Sequence, residues 1–88
     1  MTELDRLRNE IDGLDAQIVQ LLEERMDLSR RIGAYKLSNS LPVLDEGREN
    51  TVVQSRVGML QNKDNQEAVA EIYRLIMRYS RANQRDGL

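Results

Sequence analysis

The chain has 88 residues, of which 40% are hydrophobic and 32% are charged, and its net charge at pH 7 is −2. This composition is typical of one small globular domain, so we expect a single domain over residues 1–88. No apolar run approaches the roughly 20 residues that cross a membrane, and the sequence has neither a signal peptide nor a basic block typical of nucleic-acid binding. We therefore expect a cytoplasmic protein that binds neither membranes nor nucleic acids.

The residue types that are absent narrow the available chemistry. The sequence contains no Cys and no His, which excludes disulfides, thiolate nucleophiles, His-based triads and the usual zinc sites. Phe and Trp are also absent, so the core must be aliphatic with Met and Tyr, a composition that favours helices over sheets. An enzyme of this composition must work with carboxylates, amides, hydroxyls and cations.

A long first helix is predicted to begin after Thr2, where Asp5 completes a capping box, and to continue to about Leu37. The following segment, 38–42, contains Ser, Asn and Pro and breaks the helix. Apolar residues of this helix recur at heptad spacing: Leu4, Leu7, Ile11, Leu14, Ile18, Leu21, Leu28, Ile32 and Tyr35. The position that would complete the stripe is Arg25. A cation on a buried seam is costly unless an anion lies against it, so either the fold or a ligand must supply one.

The length of the first helix has a structural consequence. At about 1.5 Å per residue it would extend for about 54 Å, whereas a compact chain of this size has a radius of gyration of only about 12 Å. The helix must therefore protrude with its apolar stripe exposed, and such a stripe pairs with another helix. We infer a homodimer with interlocked subunits. The alternative is an antiparallel coiled coil or a three-helix bundle with a mobile N-terminal arm.

Two shorter helices complete the chain. Asp45 is predicted to cap the second helix, which runs to about Gln61 with apolar residues at Val52, Val53, Val57, Met59 and Leu60. A turn at 62–65 follows, and Asp64 with Glu67 forms a capping box for the third helix. That helix runs to about Arg85 before a frayed end at 86–88. The expected fold class is all-α, with one very long and two shorter helices per subunit in an intertwined homodimeric bundle.

Polar residues interrupt the apolar faces of all three helices: Arg25, Lys36, Arg48, Glu49, Ser80 and Gln84, with Arg8 as a possible addition from a second subunit. Arg25 and Lys36 lie within about 20° of each other around the first helix. Each residue alone has an ordinary explanation as an exposed arginine, an end-of-helix lysine, a capped first turn or a frayed terminus. Together they are mostly cations and suit a small dicarboxylate, which arginine binds bidentately, with Glu49 left to accept a hydroxyl hydrogen.

The ordered set resembles the all-helical chorismate mutases of bacterial aromatic amino-acid biosynthesis, over nearly the whole chain from about Leu4 to Gln84. The resemblance is carried by Leu7–Ile11, Leu14 and Asp15, Leu21–Arg25, Ile32–Lys36, Pro42–Asp45, Arg48, Glu49, Ser80 and Gln84. It implies an intertwined dimer with two equivalent sites that rearranges chorismate to prephenate by a pericyclic step, without cofactor, metal or covalent intermediate. No attached dehydratase, dehydrogenase or synthase domain is expected.

The resemblance also implies roles for the residues that bind the substrate's charged groups. Arg25 and Arg8 of the other subunit would clamp the two carboxylates of chorismate. Lys36 and Gln84 would donate hydrogen bonds to the ether oxygen, where negative charge develops as the C–O bond breaks. Because Gln84 is an amide, no protonated carboxyl is expected to be required at that position.

Further roles concern the ring of the substrate. Glu49 and the backbone near Asp45 would hold the ring hydroxyl, and Ser80 would contact the ring carboxylate. Arg48 would support Glu49 and the charge balance of the site. Two residues would form apolar walls that favour the compact conformer of the substrate: Ile32 and Val52.

Two other functions remain open from the sequence. An isochorismate pyruvate lyase would share the fold and the cationic site, although Glu49 beside Arg48 favours the mutase because a hydroxyl at the chorismate position needs an acceptor. A non-catalytic helical dimerisation module is the second alternative, in which Arg25 would have no catalytic role.

Overall fold

The computed structural model describes residues 2–86 and confirms the all-α class over that range. Helix α1 spans Glu3–Ser38, α2 spans Glu46–Gly58, and α3 spans Gln66–Asp86, with a short 3-10 helix at Lys63–Asn65 immediately before α3. Within residues 2–86, none of the helices is both long and apolar enough to cross a membrane.

The start of α1 has the predicted capping box. The Thr2 hydroxyl accepts from the Asp5 amide at 3.1 Å, and the Asp5 carboxylate accepts from the Thr2 amide at 3.2 Å. At the other end, the side-chain amide of Asn39 donates to the carbonyl oxygen of Tyr35 at 2.8 Å. Ser40 then adopts a positive φ of 55°, so the helix ends within one residue of the predicted position.

The start of α2 lies where it was predicted, but its end does not. Asp45 caps α2 as predicted, accepting from the Arg48 amide at 2.9 Å, but α2 ends at Gly58 and not near Gln61. Glycine is a poor helix former, and Met59 beyond it is 70% exposed, outside the core.

The capping box predicted at Asp64 is also wrong. Asp64 lies inside the 3-10 helix, and its amide donates to the side chain of Asn62 at 3.0 Å, so Asn62 is the capping residue. The capping residue thus lies two positions before the predicted one, and the 3-10 helix leads directly into α3. Of the frayed end predicted at 86–88, Asp86 closes α3, and residues 87–88 lie outside the described residues.

Helix α3 lies between the other two helices and packs against both. The Ser29 hydroxyl on α1 donates to the Ser80 carbonyl on α3 at 2.8 Å, and Gly33 lies against the backbone of Gln84. Both pairs have the same sequence offset, so α1 and α3 run parallel. On the opposite side, the buried side chains of Val52 and Val53 on α2 meet Met77 on α3 in a small core.

A close backbone contact sets the spacing between α1 and α3. A Cβ atom built at Gly33 would lie only 2.6 Å from the Cα of Gln84, a distance that no side chain tolerates. Gly33 weakens α1 locally, because glycine is a poor helix former, but it allows the two helices to approach at the level of Lys36 and Gln84.

The N-terminal half of α1 extends away from the packed body. Every residue from 2 to 21 is exposed, and the described chain measures 56 × 25 × 15 Å with a radius of gyration of 16.3 Å. The six apolar stripe residues of this half are each between 48% and 61% exposed. The predicted protrusion of the first helix is therefore confirmed.

Candidate active site

A cavity of about 250 Å³ lies between the C-terminal halves of α1 and α3 and the first turns of α2. It brings together every polar residue predicted from the sequence except Arg8: Arg25, Lys36, Asp45, Arg48, Glu49, Ser80 and Gln84. Ile32 and Val52, predicted as apolar walls, also line the cavity. Residues from three helices and one loop thus face one small space.

Arg25 is half-buried on α1, and its guanidinium donates a hydrogen bond to the Ser80 hydroxyl on α3. No carboxylate of residues 2–86 forms an ion pair with it. Burial lowers the pKa of Arg25, and the nearby cations Arg56 and Arg48 act in the same direction, against an opposing effect of Tyr73. Arginine nevertheless stays charged in proteins. The described part of the fold therefore supplies a hydroxyl to this cation, but no anion.

Lys36 connects three segments at the other end of the cavity. Its ammonium group donates to the side-chain oxygen of Gln84 at 2.7 Å and to the carbonyl oxygen of Val43 at 2.9 Å. Because an ammonium group is only a donor, the amide oxygen of Gln84 faces Lys36, and the amide NH₂ is left as a donor. Both residues line the cavity, and each keeps a hydrogen-bond donor that this contact does not use.

Glu49 has a different partner from the one predicted. Its carboxylate lies 3.6 Å from the guanidinium of Arg81 on α3, whereas the family resemblance implied that Arg48 would support it. Arg48 and Glu49 are adjacent on α2, so their side chains leave the helix about 100° apart. The packing of α3 against α2 places Arg81 beside Glu49 instead.

Several lining residues were missed from the sequence. The Ser29 side chain is 3% exposed and ties α1 to α3 through the Ser80 carbonyl. Arg81 adds a further cation to the cavity wall. Each lies about one helical turn from a predicted residue, Ser29 after Arg25 and Arg81 before Gln84, so the helical period alone could have found them. The other missed lining residues are Leu28, Val43 and Met77.

Arg8 does not line the cavity of its own chain. It is exposed on the protruding half of α1, seventeen residues before Arg25, which corresponds to about 26 Å along the helix axis. A contribution of Arg8 to this type of site would have to come from another copy of the chain.

The donor set favours binding of a small anion. Four cations and two carboxylates line the cavity, together with two hydroxyls and an amide. Within the described range, no group of three or more His, Cys, Asp or Glu side chains is placed to hold a metal ion. The arrangement can clamp carboxylates and stabilise negative charge on an oxygen near Lys36 and Gln84.

Comparisons with known proteins identify the family to which this chain is similar. Residues 7–85 match the family model described as chorismate mutase type II. A bifunctional chorismate mutase/prephenate dehydratase of Aquifex aeolicus is 39% identical over 83 residues, which are 88% of this chain and 22% of that protein. An intracellular chorismate mutase of Mycobacterium tuberculosis is 38% identical over 52 residues, or 59% of this chain and 50% of that protein.

Two further similarities bear on substrate and fold. A 4-amino-4-deoxychorismate mutase of Streptomyces venezuelae is 40% identical over 50 residues, or 57% of this chain and 48% of that protein. The chain thus spans half or less of the length of these three curated relatives. A solved structure, a conserved hypothetical protein from Pyrococcus furiosus, superposes with a TM-score of 0.81 at 35% identity, covering 97% of this chain and 99% of that one.

Proposed function

The chain belongs to the chorismate mutase type II family, and we propose that it rearranges chorismate to prephenate in aromatic amino-acid biosynthesis. The observation that carries this proposal is the cavity in which Arg25, a cation with no carboxylate partner in residues 2–86, faces the same space as the donor pair Lys36 and Gln84. Chorismate brings two carboxylates and an ether oxygen, which match these groups.

Binding begins with the carboxylates of the substrate. Arg25 exchanges its hydrogen bond with Ser80 for a charge-assisted bond to a carboxylate, and Ser80 becomes free to contact the ring carboxylate. Burial raises the strength of such a pair because the dielectric constant is lower than in water. The half-buried position of Arg25 between α1 and α3 supports this role.

The reaction is an intramolecular rearrangement in which one C–O bond breaks while one C–C bond forms, so no general acid or base is needed. Negative charge develops on the ether oxygen as the C–O bond breaks. The Lys36 ammonium and the free NH₂ of Gln84 donate to that oxygen, while the Val43 carbonyl keeps the Lys36 side chain in place. Loss of one such preorganised donor typically costs about 3–4 kcal/mol of transition-state stabilisation.

The remaining contribution is conformational. Chorismate must fold so that its two reacting carbons approach each other, and a closely fitting cavity lowers the entropic cost of that step. Ile32 and Val52 supply apolar walls, and Glu49 accepts a hydrogen bond from the ring hydroxyl. The backbone near Asp45 helps to hold the ring hydroxyl, and the positive charge of Arg48 balances the negative charge of Glu49 in the cavity. The chemistry proposed here uses no cofactor and no metal ion.

A homodimer with shared active sites is part of the same proposal. The exposed apolar stripe of α1 continues into an apolar groove of about 270 Å³ between α1 and α3, whose apolar lining residues are Ile18, Leu22, Met26, Ile72, Leu75, Ile76 and Tyr79. A second copy of α1 fits such a surface, because heptad stripes pair with each other. In an intertwined dimer, Arg8 of one copy completes the carboxylate clamp in the cavity of the other.

The two alternative functions make different predictions. An isochorismate pyruvate lyase would release pyruvate and act more efficiently on isochorismate than on chorismate. The hydroxyl acceptor Glu49 on the cavity wall favours chorismate. Assaying the purified protein with both substrates tests the proposal: we expect prephenate from chorismate and little pyruvate from isochorismate, and the reverse preference would overturn it. A dimerisation module would convert neither substrate.

A further inference from the structure

We infer that Arg81 is a positioning and specificity-determining residue, which holds the carboxylate of Glu49 and makes this part of the cavity select a hydroxyl over an ammonium group on the substrate ring. The inference rests on the proposed function, because it assigns Glu49 to the ring substituent of chorismate. It concerns a residue that the sequence pattern did not single out.

The ion pair of Arg81 with Glu49 differs from the other ion pairs in the described chain in linking two helices and in being less exposed. Arg81 follows Ser80 on α3, and its guanidinium lies 3.6 Å from the carboxylate of Glu49 on the first turn of α2. The two side chains are 32% and 25% exposed. The remaining ion pairs, Arg6 with Glu3 and Arg30 with Asp27, link residues on one turn of α1 with side chains 46% to 74% exposed.

The pair leaves Glu49 able to bind a ligand. A separation of 3.6 Å is longer than a hydrogen bond of normal length, and no donor of residues 2–86 occupies the carboxylate with a hydrogen bond. An ionised carboxylate has about four acceptor positions. Arg81 therefore restrains the carboxylate from one side, while its free acceptor positions remain available to a hydroxyl group in the cavity.

Charge then decides which ring substituent is accepted. A carboxylate without a neighbouring cation would attract an ammonium group more strongly than a neutral hydroxyl. The amine of 4-amino-4-deoxychorismate is an aliphatic amine and is protonated at neutral pH. Arg81 neutralises Glu49 and repels a second cation placed beside it. The hydroxyl of chorismate still has Glu49 as an acceptor. For the ammonium group of the amino analogue, the attraction to Glu49 is offset by the repulsion from Arg81.

The experiment compares chorismate and 4-amino-4-deoxychorismate as substrates of the full chain. The variants are Arg81→Met, Arg81→Lys, Glu49→Gln and the double variant Arg81→Met/Glu49→Gln. Arg30→Met is the matched control, because it removes an arginine from an ion pair outside the cavity. The quantity measured is kcat/KM for each substrate, with kcat and KM determined separately.

We expect Arg81→Met to lower kcat/KM for chorismate roughly tenfold, mainly through KM, since a bond to the ring hydroxyl is made in both the bound state and the transition state. The ratio of kcat/KM for the amino analogue to that for chorismate should rise at least about tenfold, because the charge of Glu49 is then no longer balanced by Arg81 and attracts the ammonium group. Arg81→Lys should restore the wild-type ratio. In the Glu49→Gln background, Arg81→Met should raise the ratio clearly less, because only the direct repulsion between Arg81 and the ammonium group is then removed. Arg30→Met should leave the ratio unchanged.

Three results separate failure of the inference from failure of the proposed function. If the wild-type protein converts chorismate but Arg81→Met keeps the wild-type substrate ratio, Arg81 is not a specificity determinant and the inference alone is overturned. The same holds if Arg81→Met changes the ratio equally with and without Glu49→Gln. If the folded wild-type protein converts neither substrate, the proposed function is overturned and this inference with it.

Discussion

Lys36 and Gln84, which are 48 residues apart in the sequence, form a 2.7 Å hydrogen bond from the ammonium group of Lys36 to the amide oxygen of Gln84. The bond fixes both donors before any ligand enters. Its geometry depends on the close approach of α1 and α3 at Gly33, one turn before Lys36. Stabilisation of the transition state by fixed donors requires this type of preorganisation, since no energy is then spent on reorienting them during the reaction.

Replacing Lys36 by alanine should reduce kcat about 10²–10³-fold, which is the usual effect of removing one donor to a developing oxyanion. Folding should change far less, because the Lys36 side chain makes polar contacts at the end of α1 and is not part of the apolar core. Steady-state kinetics and thermal unfolding measure the two effects. Lys63→Ala, at an exposed lysine away from the cavity, is the control. Turnover within twofold of wild type would remove Lys36 from the ether-oxygen role.

Replacing Gln84 by glutamate should make the rate depend on pH. A carboxyl group donates a hydrogen bond only when it is protonated, and glutamate ionises with an ordinary pKa of about 4.3. The active form of Gln84→Glu is therefore the protonated one, and kcat should fall as pH rises through the pKa of the new carboxyl. Wild-type kcat should be nearly flat over the same range, because an amide does not titrate. Identical pH profiles for the two proteins would contradict the donor role of Gln84.

Replacing Arg25 by leucine should separate stability from activity. Leucine completes the apolar stripe of α1 and removes a half-buried cation that has no carboxylate partner in the described chain, so the midpoint of thermal unfolding should not decrease. The value of kcat/KM should fall at least about 30-fold, the lower bound for losing one partner of a buried charge pair with the substrate. Near-normal turnover would show that Arg25 does not bind the carboxylate of the substrate in the reaction.

Two glycines of α1 form a matched pair for testing the helix contact. Gly33→Ala places a methyl group against the backbone of Gln84 and should destabilise the fold by about 1–3 kcal/mol, as overpacking usually does. Gly13 has no atom within 4 Å of the added methyl group, so Gly13→Ala should preserve stability or raise it by up to about 1 kcal/mol. Denaturant unfolding measures both. Equal effects of the two substitutions would contradict the close approach of α1 and α3.

The shared-site dimer predicts complementation between two inactive variants. Arg8→Met removes the cation supplied to the other copy, and Arg25→Leu removes the cation of the same chain. When equal amounts are unfolded together and refolded, about half of the dimers should be mixed, and each mixed dimer has one complete site, so about a quarter of wild-type activity should return. Separate refolding is the control. No recovery in the mixture, or a stable monomer in sedimentation at micromolar concentration, would contradict the shared site.

The sequence predicts the helices well because their signals are local. Thr2 with Asp5 and the capping carboxylate of Asp45 define two helix starts through contacts within three residues. The heptad stripe of α1 likewise predicts the exposed N-terminal half. The end of α2 at Gly58 and the cap at Asn62 are less predictable, because several residues of 58–65 favour turns or caps. Which of them is used depends on how α3 packs.

The composition of the cavity follows from helical spacing, but the contacts inside it do not. The period of each helix places Arg25, Lys36 and Gln84 on inward faces, and the structure brings them together. The ion pair of Glu49 with Arg81 depends on the packing of α2 against α3. The spacing of residues within either helix does not predict this packing. For the same reason, the contact of Gly33 with the backbone of Gln84 cannot be predicted from the spacing within α1.

The most direct test of the central claim is to follow chorismate absorbance after adding the purified chain in a buffer with chelator, and to identify the product by NMR. We expect chorismate to disappear at a rate proportional to protein concentration and to yield prephenate, and we expect Arg25→Leu to slow this conversion at least about 30-fold. Unchanged chorismate in the presence of folded wild-type protein, or a product other than prephenate, would contradict it.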